Sequence, residues 1–390
     1  MTAKRFCGHS QKPRIVTKED CSACPFSDTP AKAKGRPCES RGDQVLSLAC
    51  SCPKIHAQGV YSCDKHGQCV LQTEDRNIEG VKSCESCKAR TEPAAEAVNV
   101  DEIAIIAVHF NPERYHLPVR NYFEWRHSLG RMERNLITVE LSFDGHFTIH
   151  DSIKLHGGPL NVLWQKERMI NIGLQHLPDH VKYVAWIDHD MVFDNQSWPE
   201  DAIKLLQTLD VVQLFETMTY LDNGRSETST RIGAVAGYLG EVDKKNTSAP
   251  GGAWMARRDY LERCGGILDD NIVGGGDNVL CDGWLGRQSH YMQTYAGKLA
   301  ESARSWQMEA RQGFRGVGFV PGDAKHLFHG GKANRQYMTR AGILRRHDFD
   351  PSKDLVIDSA GLWSFRPGHK EDMQKEIAEY FAGRKEDDFA

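Results

Sequence analysis

Two aspartates close an apolar run in the middle of the chain. The segment from Tyr183 to Phe193 reads YVAWIDHDMVF, so Asp188 and Asp190 follow residues that predict a buried strand. A buried carboxylate is costly unless a cation meets it. Two carboxylates one residue apart therefore indicate a bound cation, although aspartates that merely cap a strand end give the same pattern.

Later residues favour the metal interpretation. His326 and His329 lie three residues apart in KHLFHGGK, and imidazole together with carboxylate suits a divalent ion such as manganese. Between the two motifs, the glycine run of GGGDN ends in Asp277. Glycines let a backbone approach a bulky ligand closely, and the acid then offers one carboxylate to that ligand.

The elements that must position these residues have the pattern of an α/β domain. Predicted strands are Ile103–Val108, Leu136–Leu141, Val181–Ile187 and Val211–Phe215, and predicted helices lie at Tyr122–Leu129, Leu163–Leu177 and Ala202–Leu209. This alternation predicts a mostly parallel sheet, and ligands of such sheets gather at the carboxyl ends of strands. The segment HFNP and the aspartate pair both fall at predicted strand ends.

Other segments leave alternatives open. The stretch Thr217–Gly251 lacks periodicity and predicts either a mobile lid or an ordinary surface loop. Trp186 is predicted to lie in the core, whereas Trp254 follows two glycines and could equally stack on a ligand. Four arginines after the histidine motif predict phosphate contacts or a solvated helical face; they are Arg335, Arg340, Arg345 and Arg346.

Cysteine usage sets the first ninety residues apart. Ten of the 12 cysteines lie there: Cys7, Cys21, Cys24, Cys38, Cys50, Cys52, Cys63, Cys69, Cys84 and Cys87. In a reducing compartment, thiol pairs with two residues between them suit tetrahedral zinc better than disulfides. We expect about two structural zinc sites by the four-ligand count. The first would use Cys7, Cys21, Cys24 and Cys38, and the second would draw on the other six; an iron–sulfur cluster is the alternative.

Composition divides the chain into four parts. Residues 1–90 form the predicted cysteine-rich zinc-binding module, 91–101 a linker, 102–350 the α/β domain, and 351–390 a carboxyl-terminal extension with a terminal helix. The module has 15 Lys+Arg against 10 Asp+Glu. This excess only weakly favours nucleic acid as a partner, because each four-thiolate zinc site itself carries about −2.

Hydropathy predicts a protein without a membrane anchor. The longest purely apolar run, Ile103–Val108, is strand-sized and too short to cross a bilayer. The first residues, MTAKRFCGHSQKPR, lack the apolar centre of a signal peptide. We therefore expect a cytoplasmic protein that does not partner with a membrane.

Taken in order, the motifs resemble the metal-dependent glycosyltransferases of the GT-A fold, and most of all the galactosyltransferases of the lactose-synthase type. The matching segments, over roughly residues 101–335, are HFNP, WQKERMINIG, WIDHD, GGAWM, GGGDN and HLFH. The resemblance implies a Rossmann-like GT-A domain that moves a hexose from a UDP-sugar to an acceptor hydroxyl. It also implies Mn²⁺ or Mg²⁺ as cofactor and inversion at the anomeric carbon.

The resemblance also implies roles for individual residues. Those implied to bind the nucleotide-sugar are Phe110, Asn111, Lys166, Arg168, Asp188, Gly252 and Trp254. Those implied to hold the metal are Asp188, Asp190, His326 and His329. The general base would be Asp277 or Asp282, because Asn278 stands where the family has its base and an amide does not accept a proton.

The acceptor is open between three hypotheses. The first is a soluble enzyme that glycosylates a saccharide, peptide or small molecule. The second is the same chemistry on a hydroxymethylated DNA pyrimidine, since the chain more weakly resembles predicted viral and kinetoplastid DNA-base glucosyltransferases, and the base would be flipped from the duplex. The third is a non-catalytic zinc-module binding protein on a degenerate transferase fold.

The cysteine module yields the first prediction. Purified protein should contain about two zinc ions per chain, because ten thiols exceed what two tetrahedral sites need. Elemental mass spectrometry of the purified chain measures this content. Cys264 and Cys281 lie outside the module, so their replacement by serine should leave the zinc content unchanged. A preparation with no bound metal would refute the module.

Overall fold

The chain divides into two compact units, Met1–Glu96 and Ala97–Ala390, and the boundary falls within the predicted linker. The computed structural model describes residues 98–240, 248–287, 297–331, 333–337 and 339–388, with the backbone of four short strands in the first unit. These strands form two antiparallel pairs: β1 (Arg5–Cys7) with β2 (Arg14–Val16), and β3 (Tyr61–Cys63) with β4 (Cys69–Leu71). The side chains of the predicted zinc ligands lie outside the described residues, so zinc binding stays a prediction.

A seven-stranded sheet forms the centre of the second unit. Its strands are β5 (Ile103–Phe110), β6 (Leu136–Ser142), β7 (Ile153–His156), β8 (Tyr183–Ile187), β10 (Val211–Gln213), β13 (Ala253–Arg257) and β14 (Val317–Phe319). They occur in the order β14-β10-β13-β8-β5-β6-β7. Strand β13 runs antiparallel to both neighbours, and the other pairs are parallel. The prediction of an α/β fold with a mostly parallel sheet is confirmed.

A second sheet lies beyond the aspartates. It has the order β12-β11-β15-β9, from β9 (Met191–Phe193), β11 (Thr217–Leu221), β12 (Glu227–Ile232) and β15 (Asp323–His326). Strands β11 and β12 form an antiparallel pair, so this part of the aperiodic segment is regular structure. A separate pair joins β16 (Leu355–Ile357) to β17 (Trp363–Phe365).

The described helices follow the predicted alternation with shifted ends. They are α1 (His116–Ser128), α2 (Lys166–Leu174), α3 (Trp198–Leu206), α4 (Ala234–Leu239), α5 (Arg258–Arg263), α6 (Gly276–Leu285), α7 (Gly297–Ala310), α8 (Gly342–Arg346), α9 (Pro351–Asp354) and α10 (Glu371–Ala382). Short 3₁₀ turns cover Val100–Glu102, Gly130–Asn135 and Pro159–Asn161. Within the described ranges, no helix has the length and apolarity that a membrane span requires.

The central strands are apolar on both faces because both faces are covered. Along β5, Ile103 and Ile105 pack into one hydrophobic cluster, while Ala104 and Ile106 pack into the other. A strand buried on both sides shows a continuous apolar run instead of alternation. This is why Ile103–Val108 was recognisable as a strand from its sequence.

The terminal helix is part of the core of the second unit. Met373, Ile377, Tyr380 and Phe381 of α10 are buried in the same cluster as Ile106 of β5. The predicted extension therefore packs into the α/β unit, and its last turn reaches the end of β5, where Phe110 contacts Phe381.

Candidate metal and donor site

The site is built at the carboxyl end of β8. Backbone hydrogen bonds fix the aspartate segment there: Asp188 N–H donates to the Gly252 carbonyl at 2.7 Å, and Leu327 N–H donates to the Asp190 carbonyl at 2.8 Å. The second sheet brings the histidine motif to the same place, because β15 pairs antiparallel with β9 and sets His326 opposite Met191. Residues far apart in the chain therefore meet at one sheet edge.

Asp190, His326 and His329 form a compact buried triad. Asp190 Oδ2 lies 2.7 Å from His329 Nδ1, and Asp190 Oδ1 lies 3.9 Å from His326 Nε2. The potential ligand atoms all lie within 4.8 Å of one another. His326 Nδ1 lies 3.0 Å from the Leu327 carbonyl, which only accepts, so Nδ1 carries a proton and Nε2 is the nitrogen that faces Asp190.

The triad fits a divalent cation. Asp190 Oδ1 is buried without a hydrogen-bond partner, which is costly for a carboxylate oxygen unless a cation completes it. Burial alone would raise the pKa of Asp190, but His326 and His329 hold it below its usual range. Burial lowers the pKa of His329 well below its usual value. One ionised carboxylate with neutral imidazole is the ligand state that binds Mn²⁺ or a similar ion.

Lys166 bridges the other two acids of the site. Its Nζ lies 2.6 Å from Asp188 Oδ1 and 3.2 Å from Asp277 Oδ2. Burial alone would lower the pKa of Lys166, but the two carboxylates raise it above its usual value, so the amine stays charged. Burial raises the pKa of Asp188. The two aspartates of the motif thus take different partners, and Asp188 lies beside the triad without belonging to it.

The structure separates the two candidate bases. Asp277 lies in the first turn of α6 and contacts Lys166. Its carboxylate packs over Gly251, where an added Cβ would lie 2.9 Å from Asp277 Oδ2. Asp282 is five residues further along α6, about 140° around the helix, and its Oδ1 lies 3.1 Å from Arg287 Nε.

Lys166 and Arg168 point to different places, because residues two apart on a helix face nearly opposite directions. Arg168 Nη1 lies 3.2 Å from Asp269 Oδ2, and Arg168 Nε donates to the Gly361 carbonyl at 2.5 Å. Arg168 lines a separate cavity of about 710 Å³ together with Trp363. The structure therefore does not bring both basic residues to the aspartate motif.

Phe110 and Asn111 lie at the end of β5 under the terminal helix. The Phe110 ring meets Phe381 edge-to-face at 5.3 Å between centroids. The Asn111 side chain accepts from Tyr115 N–H at 2.9 Å and donates to the Tyr115 carbonyl at 2.8 Å. The cavity that both residues line measures only about 20 Å³, and Phe381, Arg384 and Glu386 of the terminal segment line it as well.

Gly252 and Trp254 shape the core beside the site. Gly252 has φ +100°, and an added Cβ would lie 2.8 Å from Met218 Cε. Trp254 is 1% exposed, and its ring centroid lies 4.7 Å from that of Trp284. Its ring presents no free face for a sugar, so of the two alternatives left open from the sequence, the core position is the one observed. Trp186 lies in the same core, as predicted.

The burial of Glu167 and of two arginines was not identified from the sequence. Glu167 is buried under Gly276, where an added Cβ would overlap Glu167 Oε1, and burial raises its pKa to about 8. Arg335 and Arg340 are buried, whereas Arg345 and Arg346 are exposed, so only the latter two match the predicted solvated face. The glycines of GGGDN were the one sequence signal for close packing at Glu167.

Comparisons with known proteins give matches among solved structures. No protein-family profile matches the chain, and no curated protein matches it. The catalytic domain of Drosophila β1,4-galactosyltransferase 7 in complex with xylobiose matches at 16% identity, over 48% of this chain and 63% of that chain, with a TM-score of 0.28. A mannosyltransferase from Pyrobaculum calidifontis in complex with GDP-Man and Mn²⁺ matches at 13% identity, over 63% and 61%, with a TM-score of 0.33.

A third match is a mycobacterial protein, at 14% identity over 68% of this chain and 82% of that chain, with a TM-score of 0.34. The first two matches are glycosyltransferases, the class that the sequence motifs resemble. This chain covers less than two thirds of the length of each of those two proteins.

Glu167 makes stability depend on pH. Its pKa rises from 4.5 to about 8 on folding, so between these values the folded protein holds a proton that the unfolded chain has released. The free energy of unfolding should therefore fall as the pH rises through this interval. Glu167→Gln should remove this pH dependence. Its free energy of unfolding should rise relative to that of the wild type by at least about 1 kcal/mol between pH 5 and pH 8.

Urea unfolding at several pH values measures the effect. Glu309→Gln changes an exposed carboxylate and should keep the wild-type pH dependence. Parallel curves for wild type and Glu167→Gln would contradict the raised pKa.

Proposed function

We propose that this protein is a metal-dependent glycosyltransferase that moves a sugar, with a UDP-hexose as donor, to an acceptor hydroxyl. The observation that carries the proposal is the triad of Asp190, His326 and His329 at the carboxyl edge of a parallel sheet. The charged Lys166 lies beside it, between two further carboxylates. A cation site and a fixed amine at such an edge suit a ligand that carries a diphosphate.

The described residues divide the tasks of the transfer. When bound at the triad, a divalent cation would neutralise the charge that develops on the leaving diphosphate. Lys166 adds a second positive charge at the same edge, held in place by Asp188. Because Lys166 is mostly buried, its charge is less screened than that of a surface lysine.

Asp277 is proposed as the general base. Its carboxylate takes the proton of the acceptor hydroxyl while that oxygen attacks the anomeric carbon. The bond from this carbon to the phosphate oxygen breaks, and its electron pair leaves with the nucleoside diphosphate. One such displacement inverts the anomeric centre. Asp277 suits the task better than Asp282 because of its position: it shares Lys166 with Asp188 of the aspartate motif, whereas Asp282 lies about 140° around α6.

The described residues also bear on the other hypotheses. A degenerate, non-catalytic fold would have no reason to keep a buried carboxylate oxygen unsatisfied at the triad, as Asp190 Oδ1 is. A DNA acceptor would be favoured by an exposed basic strip at the site, but Arg335 and Arg340 are buried. Contact with nucleic acid would then depend on the cysteine module, which we propose holds the structural zinc.

Asp190→Ala tests the metal-dependent reaction. The wild type should slowly release nucleotide from one member of a panel of UDP-, GDP- and dTDP-sugars with Mn²⁺, and chelation should stop it. Asp190→Ala should lower this rate at least about hundredfold, because the triad loses its only carboxylate.

Asp194→Ala is the matched control, since it removes a more exposed carboxylate four residues away. It should keep the wild-type rate, and both variants should keep the wild-type unfolding temperature. Wild-type turnover in Asp190→Ala would exclude the triad as the metal site.

The base assignment is tested by amide substitutions. Asp277→Asn should lower kcat about 10²- to 10⁴-fold with little change in the KM for the donor, because proton transfer is lost while Asp188 still holds Lys166 in place. Asp282→Asn should have a much smaller effect, since Asp282 pairs with Arg287. Steady-state kinetics with an acceptor that the wild type glycosylates measures kcat and KM for both variants. The reverse result would assign the base to Asp282.

A further inference from the structure

Arg335, which is buried, and Arg384, which is mostly buried, share a single carboxylate close to the triad. Arg335 Nη2 lies 2.9 Å from Glu386 Oε1, and Arg384 Nη2 lies 2.5 Å from the same oxygen. The Nε atoms of both arginines are buried without a hydrogen-bond partner. Two guanidinium groups with one carboxylate between them leave a net positive charge in a buried place, which is costly unless an anion balances it.

The cluster lies between the triad and the end of β5. Arg335 Nη2 also donates to the His329 carbonyl at 2.7 Å, and Glu386 packs over Gly330, the next residue. On its other side, the guanidinium of Arg384 lies 5.2 Å from the centre of the Trp164 ring. Arg384 and Glu386 also line the small cavity beside Phe110. An anion bound here would therefore lie near both a metal held by the triad and a nucleobase held by Phe110.

Reversible contacts hold the segment that carries Glu386. We call residues Phe381–Asp388 the C-terminal strap. Tyr115 Oη donates to the Ala382 carbonyl at 2.8 Å and accepts from Lys385 N–H at 3.0 Å. The Asp387 carboxylate accepts from the first backbone N–H groups of α1 at 2.8 Å each. Three of these four polar contacts are exposed to solvent, so water can replace them at small cost. The apolar contact of the strap is the buried Phe381 ring on Phe110.

We propose that Arg335 and Arg384 form an anion subsite for the diphosphate of the donor, and that Glu386 occupies this subsite in the strapped conformation. The proposal rests on the proposed function, since a nucleotide-sugar supplies the diphosphate. Planar guanidinium groups bind phosphate oxygens through paired hydrogen bonds, and a diphosphate offers more charge than one carboxylate. The donor thus displaces Glu386.

Displacement of the strap would also enlarge the small cavity at Phe110. A space of about 20 Å³ has no room for a nucleoside while Phe381 rests on Phe110. Movement of Glu386 out of the anion subsite would loosen the strap, and the Phe110 ring would be uncovered once Phe381 also separates from it. Phosphate binding and opening of the base pocket are then one event, with the strap acting as an internal competitor of the donor.

Calorimetric titration of the full chain with inorganic pyrophosphate, without added divalent cation, tests the subsite. Glu386→Gln removes the competing charge and should bind pyrophosphate about tenfold more tightly than the wild type. Arg384→Met keeps the side-chain length without the charge and should bind about tenfold more weakly. Glu379→Gln is the matched control, an exposed glutamate of α10, and should bind like the wild type.

UDP serves as a second ligand and identifies the source of the anion. If Glu386→Gln tightens UDP and pyrophosphate by the same factor, the subsite receives a nucleoside diphosphate. If it tightens pyrophosphate alone, the subsite takes a free phosphate and the assignment to the donor is overturned. Equal pyrophosphate affinity in the wild type, Glu386→Gln and Glu379→Gln overturns the subsite itself.

The outcome is separable from that of the proposed function. Tighter pyrophosphate binding by Glu386→Gln without sugar-nucleotide turnover would support an anion subsite and refute the transferase. Metal-dependent turnover with no effect of Glu386→Gln would support the transferase and refute the subsite. Thermal unfolding of each variant confirms that the comparison concerns folded protein.

Discussion

The structure depends on how four acids are accommodated at one sheet edge. Asp190 and Glu167 lie there with little access to water, Asp188 and Asp277 are partly buried, and each ionised carboxylate removed from water needs a partner. Asp190 is compensated by imidazoles, and Asp188 and Asp277 share the amine of Lys166. Glu167 is instead accommodated by keeping its proton, since burial raises its pKa to about 8. The proposed roles of these acids in metal binding and proton transfer depend on how each carboxylate is compensated.

The same constraint accounts for two glycines. Gly251 and Gly276 leave room for Asp277 and Glu167, whose carboxylates lie where a Cβ would otherwise be. The glycines of GGAWM and GGGDN therefore allow several charged groups to pack closely at one sheet edge. A glycine-rich stretch here reflects close approach by the protein's own side chains as well as by any ligand.

Much of this arrangement could be predicted from the sequence, for physical reasons. The strand that begins at Ile103 was evident because both of its faces are buried, and the meeting of Asp190 with His326 follows from residue types that share a cation preference. Trp254 was harder to place, since the preceding glycines suggest a ligand while the strand register turns its ring into the core. Glu386 gave no signal, because charged residues near a chain end resemble a solvated tail, and its partner Arg335 is 51 residues earlier in the chain.

The pairing of β15 with β9 makes the candidate cation site depend on strand register. Asp190 and His329 are 139 residues apart, yet His326 is placed by a three-residue ladder that sets it opposite Met191. A slip of one residue in this ladder would turn His326 to the other face of the sheet. The chain between the two motifs keeps this register, because β11 pairs with β15 and the Gly252 carbonyl accepts from Asp188 N–H. A change that shifts the ladder would therefore disperse the proposed cation site without altering any of its three residues.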